Sequence, residues 1–532
     1  MAKPIQRILI VGGGTAGWMT ASYLTKALGK NVEISLIESD VVKKIGVGEA
    51  TLPSLQQAFF NFLGIPEQEW MKHVNGSYKV GVKFINWSQA PQPGQPDQSF
   101  YHIFGGMPTC GGLPLQQYWL RKYLAGETKE SMQSACYAET ALLDQKLSPV
   151  FEDRKPATFY AWHFDAHRVA DYLTQWSTTR GVTRIIGDVI DVVLEAETGN
   201  IQSVVTQTGL ELKADLFIDC SGFRSLLLGK ALQEPFLDRG DALLCDSAVA
   251  TPVPHDDARY GIEPYTSSIA MKHGWTWKTP MLGRFGSGYV YSSQFCSEDE
   301  ATREFQQLWG LDDQQPLKHL KFRVGRTERA WVKNCVGIGL ASSFLEPLES
   351  TGIYFIYAAL YQLVKHWPSK ALEPTLQKQF NGKVTWMFDD CLDFVQMHYF
   401  TTSREDTAFW RANRHDLKKS DSIQEKLELY RAGLPVGAVV SNSADYYSAF
   451  DFEFENFWSN SNYYCVLAGM GVYPEQSPPL LAHNPLAIQQ AEQVFANIRL
   501  KSKTLALQLP STYDALKSLH SPTAQSRELL TV

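Results

Sequence analysis

An α/β fold is predicted for this chain of 532 residues by three observations. A strand, a glycine turn and a helix follow one another at the N-terminus, short apolar strands recur near residues 215 and 332, and the last third reads as helix. Arg7–Val11 reads as a parallel strand, its apolar run Ile8–Val11 being of the kind that a strand buried on both faces requires. It runs into Gly12-Gly13-Gly14-Thr15-Ala16-Gly17, and Trp18–Leu28 then sets Ala21, Leu24 and Leu28 on one helical face. Val32–Ile37 is the second strand and ends at Glu38, about 21 residues beyond Gly17. Glycines at this turn let the backbone approach a pyrophosphate whose charge rests on the helix N-terminus, and the acid stands where a ribose hydroxyl needs an acceptor. With strand, helix and acid in register, the unit predicts dinucleotide binding.

Asp215–Asp219 and Val332–Leu340 read as later strands of the same sheet. Between them and the first unit, Ser88–Leu115 is dense in proline and glycine, which predicts a long loop without regular elements. A loop of that length is usually functional or disordered, and its aromatic island Phe100-Tyr101-His102-Ile103-Phe104 is more typical of a lid than of a linker. Beyond residue 360 the chain turns helix-rich, with Trp386–Tyr399 and Ser422–Ala432 as helices. The division expected is therefore 1–360 as the nucleotide-binding part, carrying an inserted lid at about 88–115, and 361–532 as a mostly helical part packed on it.

Composition narrows the function. A net charge of −7 and a pI near 6.0 argue against a nucleic-acid footprint, and no polybasic run or basic amphipathic helix predicts membrane binding. The eight cysteines are scattered and never form CxxC, a spacing that fits reduced thiols in a cytoplasmic protein. Ile8–Val11 is too short for a signal-peptide core, and Gly352–Val364 is too short to span a bilayer. His163 and His167 would share a helical face with Asp165 between them, but no third ligand cluster accompanies them and no metal is expected. Cys220 reads as a small packing residue.

Several blocks in one order carry a family likeness: Gly12–Trp18, Gly46-Val47-Gly48-Glu49-Ala50-Thr51, Ser77–Trp87, Tyr160–His167, Gly274–Pro280, Phe344–Ile353 and Asn456–Tyr464. With these the chain resembles the flavin-dependent tryptophan halogenases, most of all their rebeccamycin-type 7-halogenating branch, from about Gln6 to at least Gly471. The resemblance implies a flavin-monooxygenase-type α/β domain that binds FAD, received as FADH2 from a separate NAD(P)H-dependent flavin reductase. It implies O2 as co-substrate, chloride or bromide as the halide, and free L-tryptophan as the arene. In that family a flavin hydroperoxide is attacked by halide, and hypohalous acid passes through a tunnel to a lysine beside the substrate.

By this resemblance Lys79 is that lysine, whose cationic donor would polarise the X–OH bond. Glu349 is the carboxylate that takes the ring proton, chosen over Glu346 by the Glu-Ser-Thr-Gly match; either acid could otherwise cap a helix. The amides of Thr351 and Gly352 would bind halide at the start of a helix over Ile353–Val364. Flavin contacts are expected from Gly12, Gly14, Thr15, Ala16, Gly17, Glu38, Val47, Ala50, Val189, Leu340 and Ile353. His102 and Phe104 would face one side of the indole and Trp458 and Phe457 the other. Tyr446, Tyr447 and Glu453 would hold the amino-acid carboxylate and ammonium, with Asn462 beside them.

Ser461-Asn462 and Thr351 match the 7-selective members, while Leu52 and Val82 do not follow that division, so C6 stays open. Trp275 and Trp277 share a strand face, and Thr279 stands where the family motif has isoleucine. A flavin aromatic hydroxylase and a non-catalytic flavin-binding protein are the competing readings. The hydroxylase would be favoured by a second nicotinamide fingerprint, which the sequence lacks. A homodimer is left open.

Overall fold

The computed structural model describes residues 3–41 and 48–521, so Val47 lies outside the described residues. The N-terminal unit forms as its pattern dictates, with strands Arg7–Val11 and Glu33–Glu38 joined by the helix Thr15–Leu28. These strands sit in a six-stranded sheet between Thr183–Ile186 on one side and Leu216–Asp219, Cys335–Gly337 and Trp331–Val332 on the other. Pairing is parallel through Cys335–Gly337 and antiparallel at the last strand. Residues 332–340 thus do not form the single strand expected. Lys333 takes φ 54° and turns the chain, so Trp331–Val332 and Cys335–Gly337 pair as a hairpin.

Gly12 shows why the turn is glycine. It has φ +117°, and a Cβ there would lie 2.2 Å from the Cys220 carbonyl oxygen. A Cβ on Gly17 would lie 1.8 Å from the Gly12 oxygen, so the helix could not close on its strand.

A second sheet of seven strands runs in the order Lys318–Lys321, Ser247–Pro254, Arg284–Tyr291, Gly274–Met281, Thr266–Ala270, Gly81–Ile85 and Ser99–Ile103. Its edge strand lies inside the segment expected to be irregular. The prolines and glycines flank Phe100–Ile103 without interrupting it, and those aromatic and branched residues pair antiparallel with Gly81–Ile85. A small sheet joins Glu49–Ala50, Ala161–Phe164 and Ser77–Lys79. Lys79 therefore closes one sheet two residues before the larger one begins at Gly81.

After Phe344 the named elements of the described residues are all helical. Helix Thr351–Lys365 packs on Thr15–Leu28 and on the 27-residue helix Pro374–Phe400. Helix Pro485–Gln508 packs against Leu115–Leu124, Met132–Cys136 and Thr140–Asp144, so helices from both parts of the chain share one layer. The expected helices at 386–399 and 422–432 are found within Pro374–Phe400 and at Asp421–Arg431. All eight cysteines are buried and unpaired. Among the described residues no helix is long and apolar enough to cross a membrane.

Candidate active site

Two cavities lie on either side of the segment Leu345–Ile353. The larger is lined by the glycine turn (Gly12, Gly14, Thr15, Ala16) together with Glu38, Ala50, Leu340, Gly352 and Ile353. A Cβ on Gly14 would meet nothing within 4 Å, which leaves the helix N-terminus open to a phosphate, and the cradle fits a dinucleotide. The Glu38 carboxylate is buried, accepts from Arg184 Nε at 2.6 Å and lies 3.4 Å from Trp18 Nε1. Gly17 acts through helix–strand packing and does not line the cavity. Val189 does not line it either; its side chain packs with Leu9, Val11 and Ile37 on the far face of the sheet.

The smaller cavity gathers all eight residues expected around the arene: His102, Phe104, Tyr446, Tyr447, Glu453, Phe457, Trp458 and Asn462, with Leu52, Pro53 and Glu349 beside them. Six of the eight come from the helical turns between Ser443 and Gly469, and His102 comes from the edge strand Ser99–Ile103. Trp458 is stacked by Phe394 with centroids 3.8 Å apart, so one face of its indole is already covered. His102 stands beside this stack, with centroids 5.7 Å from Phe394 and 6.3 Å from Trp458. Phe457 stacks on Tyr354 at 4.1 Å. The Tyr446 hydroxyl donates to the carbonyls of Asn456 and Phe457 and stiffens this wall. Glu453 is buried, its Oε2 has no partner, and burial pushes its carboxyl up to about 8.

Lys79 bridges the two cavities. Its Nζ donates to the Thr51 carbonyl at 3.0 Å and to Ser350 Oγ at 2.8 Å, and it lies 4.9 Å from the centroid of Phe104. Ser350 lines the larger cavity and Phe104 the smaller. Burial lowers the ammonium to about 7 in spite of the nearby Glu349 charge. Ser350 holds φ +62°, an αL turn that redirects the chain into helix Thr351–Lys365. Gly352 faces the larger cavity at that helix N-terminus, while the Thr351 side chain is buried with its hydroxyl unpartnered.

Glu349 and Lys79 do not hydrogen-bond to each other. The carboxylate is instead held by His102 Nδ1 at 3.0 Å to both oxygens and by His398 Nε2 at 2.8 Å. Burial alone would raise this carboxyl, but the two imidazoles bring it down to about 2. His398 escaped the sequence reading because it lies 49 residues from Glu349 on a buried helical stretch. Thr51 and Ser350 stood inside motifs already noticed, but nothing local marked them as partners of Lys79.

Glu346 stands at the N-cap position of the turn Pro347–Glu349, but its side chain makes no capping hydrogen bond. Its Oε1 accepts from Trp275 Nε1 at 3.1 Å and Tyr399 Oη at 2.5 Å, and burial raises it to about 7. Trp277, from the same strand as Trp275, lines the larger cavity. Thr279 gives its hydroxyl to the Gly286 carbonyl across the neighbouring strand, so the extra oxygen is satisfied inside the sheet. His163 is on a strand, bonded to Thr266 Oγ1 and Ser77 Oγ, whereas His167 is on a helix, so the shared helical face does not form. Cys220 is buried against Thr20. Elsewhere His273, Cys296 and Glu300 approach one another, but the Cys296 thiol donates to the Ser297 carbonyl.

The chain that builds these two cavities has known relatives. The tryptophan halogenase family profile matches residues 7–485. This chain is a tryptophan halogenase family member. It is 53% identical over 530 residues to the tryptophan 6-halogenase ThaL of Streptomyces albogriseolus, covering 98% of this chain and 99% of that one. It is also 53% identical over 530 residues to the tryptophan 7-halogenase RebH of Lentzea aerocolonigenes, covering 98% and 100%. The solved structure of the tryptophan 6-halogenase SttH from Streptomyces toxytricini superposes with a TM-score of 0.87 at 37% identity, covering 97% of this chain and 100% of that one. The protein is accordingly a flavin-dependent halogenase enzyme, and the α/β fold read from its N-terminal unit is that of its family.

Proposed function

We propose that this halogenase uses FADH2, O2 and chloride or bromide to halogenate the indole ring of free L-tryptophan at C7. Residues 1–360 supply the flavin side and 361–532 most of the arene pocket. The observation that carries the reading is the placement of Lys79, which touches the walls of both cavities and is the connecting cation between them. Reduced flavin with O2, when bound, supplies the two-electron oxidation that turns halide into hypohalous acid. The chain's own residues do the rest. Lys79 donates to the oxidant's oxygen and makes the halogen electrophilic. The walls of His102, Phe104 and Trp458 fix the indole so that one carbon faces the lysine. Glu349 accepts the proton that leaves the ring as the C–H electron pair restores aromaticity. Glu453, buried with an unpartnered oxygen, suits an ammonium group, which favours a free amino acid over a carrier-bound one.

A separate NAD(P)H-dependent reductase as the source of FADH2 is supported by the single nucleotide fingerprint. Asn462, Ser461 and Thr351 favour C7. Halogenation at C6 is the second reading, because the 6-halogenase relative is as similar as the 7-halogenase one. The test combines the protein with FAD, NADH, a flavin reductase, L-tryptophan and chloride or bromide. A halogen isotope pattern in the product is expected by mass spectrometry, and NMR of that product decides between C7 and C6. An oxygenated product, or no product despite normal flavin oxidation, sinks the reading. Lys79→Ala is expected to oxidise FADH2 normally while halotryptophan falls by at least about 100-fold.

A further inference from the structure

The hydrogen bonds around Glu349 have a fixed direction, and it can be read from two ends. At one end the backbone N–H of Ser459 donates to Asn462 Oδ1 at 2.8 Å, and the Ser459 hydroxyl donates to the same oxygen at 2.7 Å. This is the capping box of helix Asn460–Gly469, and it settles which end of the Asn462 amide is oxygen. The amide Nδ2 is then the atom 2.9 Å from His102 Nε2, so Nε2 accepts. The His102 proton must sit on Nδ1, from which it is donated to Glu349. At the other end His398 Nδ1 lies 2.9 Å from the Phe394 carbonyl oxygen, which can only accept, so Nδ1 carries a proton there. Nε2 of the same ring faces the Glu349 carboxylate at 2.8 Å.

We infer that Asn462 and His398 are positioning residues for Glu349: Asn462 fixes the His102 tautomer, His398 supplies a second ring N–H, and the carboxylate meets the arene ionised and oriented. The inference rests on the reading of Glu349 as the group that takes the ring proton. The two donors hold negative charge beside a ring that becomes cationic when halogen adds. They also weaken the carboxylate as a base, which the chemistry tolerates because a halogenated arenium is a strong acid. The other titratable groups facing Glu349 are Lys79 from the strand Ser77–Lys79, Cys391 from helix Pro374–Phe400 and Cys465 from helix Asn460–Gly469. None of these three is within its hydrogen-bond set, so the donors that define its state are the two histidines.

The first test is ¹⁵N NMR of the ligand-free full chain labelled at histidine, with the two rings assigned by loss of their signals in His102→Gln and His398→Gln. His102 is expected with Nδ1 protonated and Nε2 bare, and His398 with both nitrogens protonated. Asn462→Asp replaces the donating amide by an oxygen of nearly the same shape and is expected to move a proton onto His102 Nε2. A wild-type His102 protonated on Nε2, or an unchanged ring in Asn462→Asp, overturns the role given to Asn462. A His398 with a bare Nε2 overturns the role given to it. The second test is the pH profile of halogenation. His398→Phe is expected to move the acid limb of kcat up by about one pH unit, a tenfold loss of rate on that limb, with KM for tryptophan unchanged. His398→Gln, which keeps a donor facing Glu349, is expected to recover most of that shift. Equal losses in both variants with no change of profile would reduce His398 to packing and overturn the inference. The NMR readings stand whether or not the chain halogenates tryptophan, so failure of the functional reading is visible separately.

Discussion

Glu453 carries the least satisfied charge-bearing group in the smaller cavity, and under the proposed function a measurable consequence follows. With its carboxyl raised to about 8 by burial, it is mostly neutral at pH 7 in the empty pocket. An ammonium placed against its free oxygen favours the charged form, so binding of L-tryptophan at pH 7 should release up to about one proton. Calorimetry in buffers of different ionisation enthalpy measures that number directly. Glu453→Gln should release none and bind tryptophan at least tenfold more weakly, a loss of about 1.4 kcal/mol. Indole, which lacks the ammonium, should discriminate little between the two proteins.

The glycine turn offers a prediction at the scale of one element, because its four glycines face different surroundings. A Cβ at Gly17 collides with the Gly12 carbonyl, whereas one at Gly14 meets only the open cavity. Gly17→Ala should therefore lose about 1–3 kcal/mol of stability by overpacking, seen as a lower Tm. Gly14→Ala should melt like the parent and lose FAD affinity alone, as read by flavin fluorescence titration. This unit was legible in the sequence because strand, turn and helix are each written in consecutive residues. That the lining of the smaller cavity would come together was legible only through family likeness, since its residues come from distant segments and each is unremarkable by itself. The strand Ser99–Ile103 was hidden because a five-residue run between clusters of glycine and proline reads locally as loop. The hairpin at 331–337 was hidden because its turn uses Lys333 and Asn334, and Asn334 spends its amide on the Ile201 backbone. His398 was beyond local reading, since only the packing of helix Pro374–Phe400 against the Glu349 turn brings it into place.

For the whole molecule, buried ionisable groups make stability depend on pH in opposite directions. Glu346 and Glu453 have carboxyls raised to about 7 and about 8, above the value of an unfolded chain. Their contribution is full below about pH 4.3 and is lost as pH rises through 7 to 8. Glu349, lowered to about 2, contributes above that unfolded value and loses its contribution only as pH falls toward 2. Lys79, lowered to about 7, gives a contribution that grows as pH rises from 7 toward the unfolded lysine value. The ligand-free protein should accordingly melt several degrees lower at pH 8 than at pH 5.5, and Glu346→Gln should flatten that slope in a thermal scan.

The eight buried cysteines bear on how long such a catalyst lasts. Burial raises every one of these thiols, those of Cys465 and Cys296 to about 11 and about 12. Thiolates are the quickest protein targets for electrophilic oxidants, and thiols held in the protonated form react far more slowly. Ellman's reagent should find almost none of the eight in the native chain and all eight once it is unfolded. Under the proposed function hypohalous acid forms inside the protein, so these most oxidisable atoms are held away from it, and the working lifetime should be set by escape of the oxidant to exposed amines.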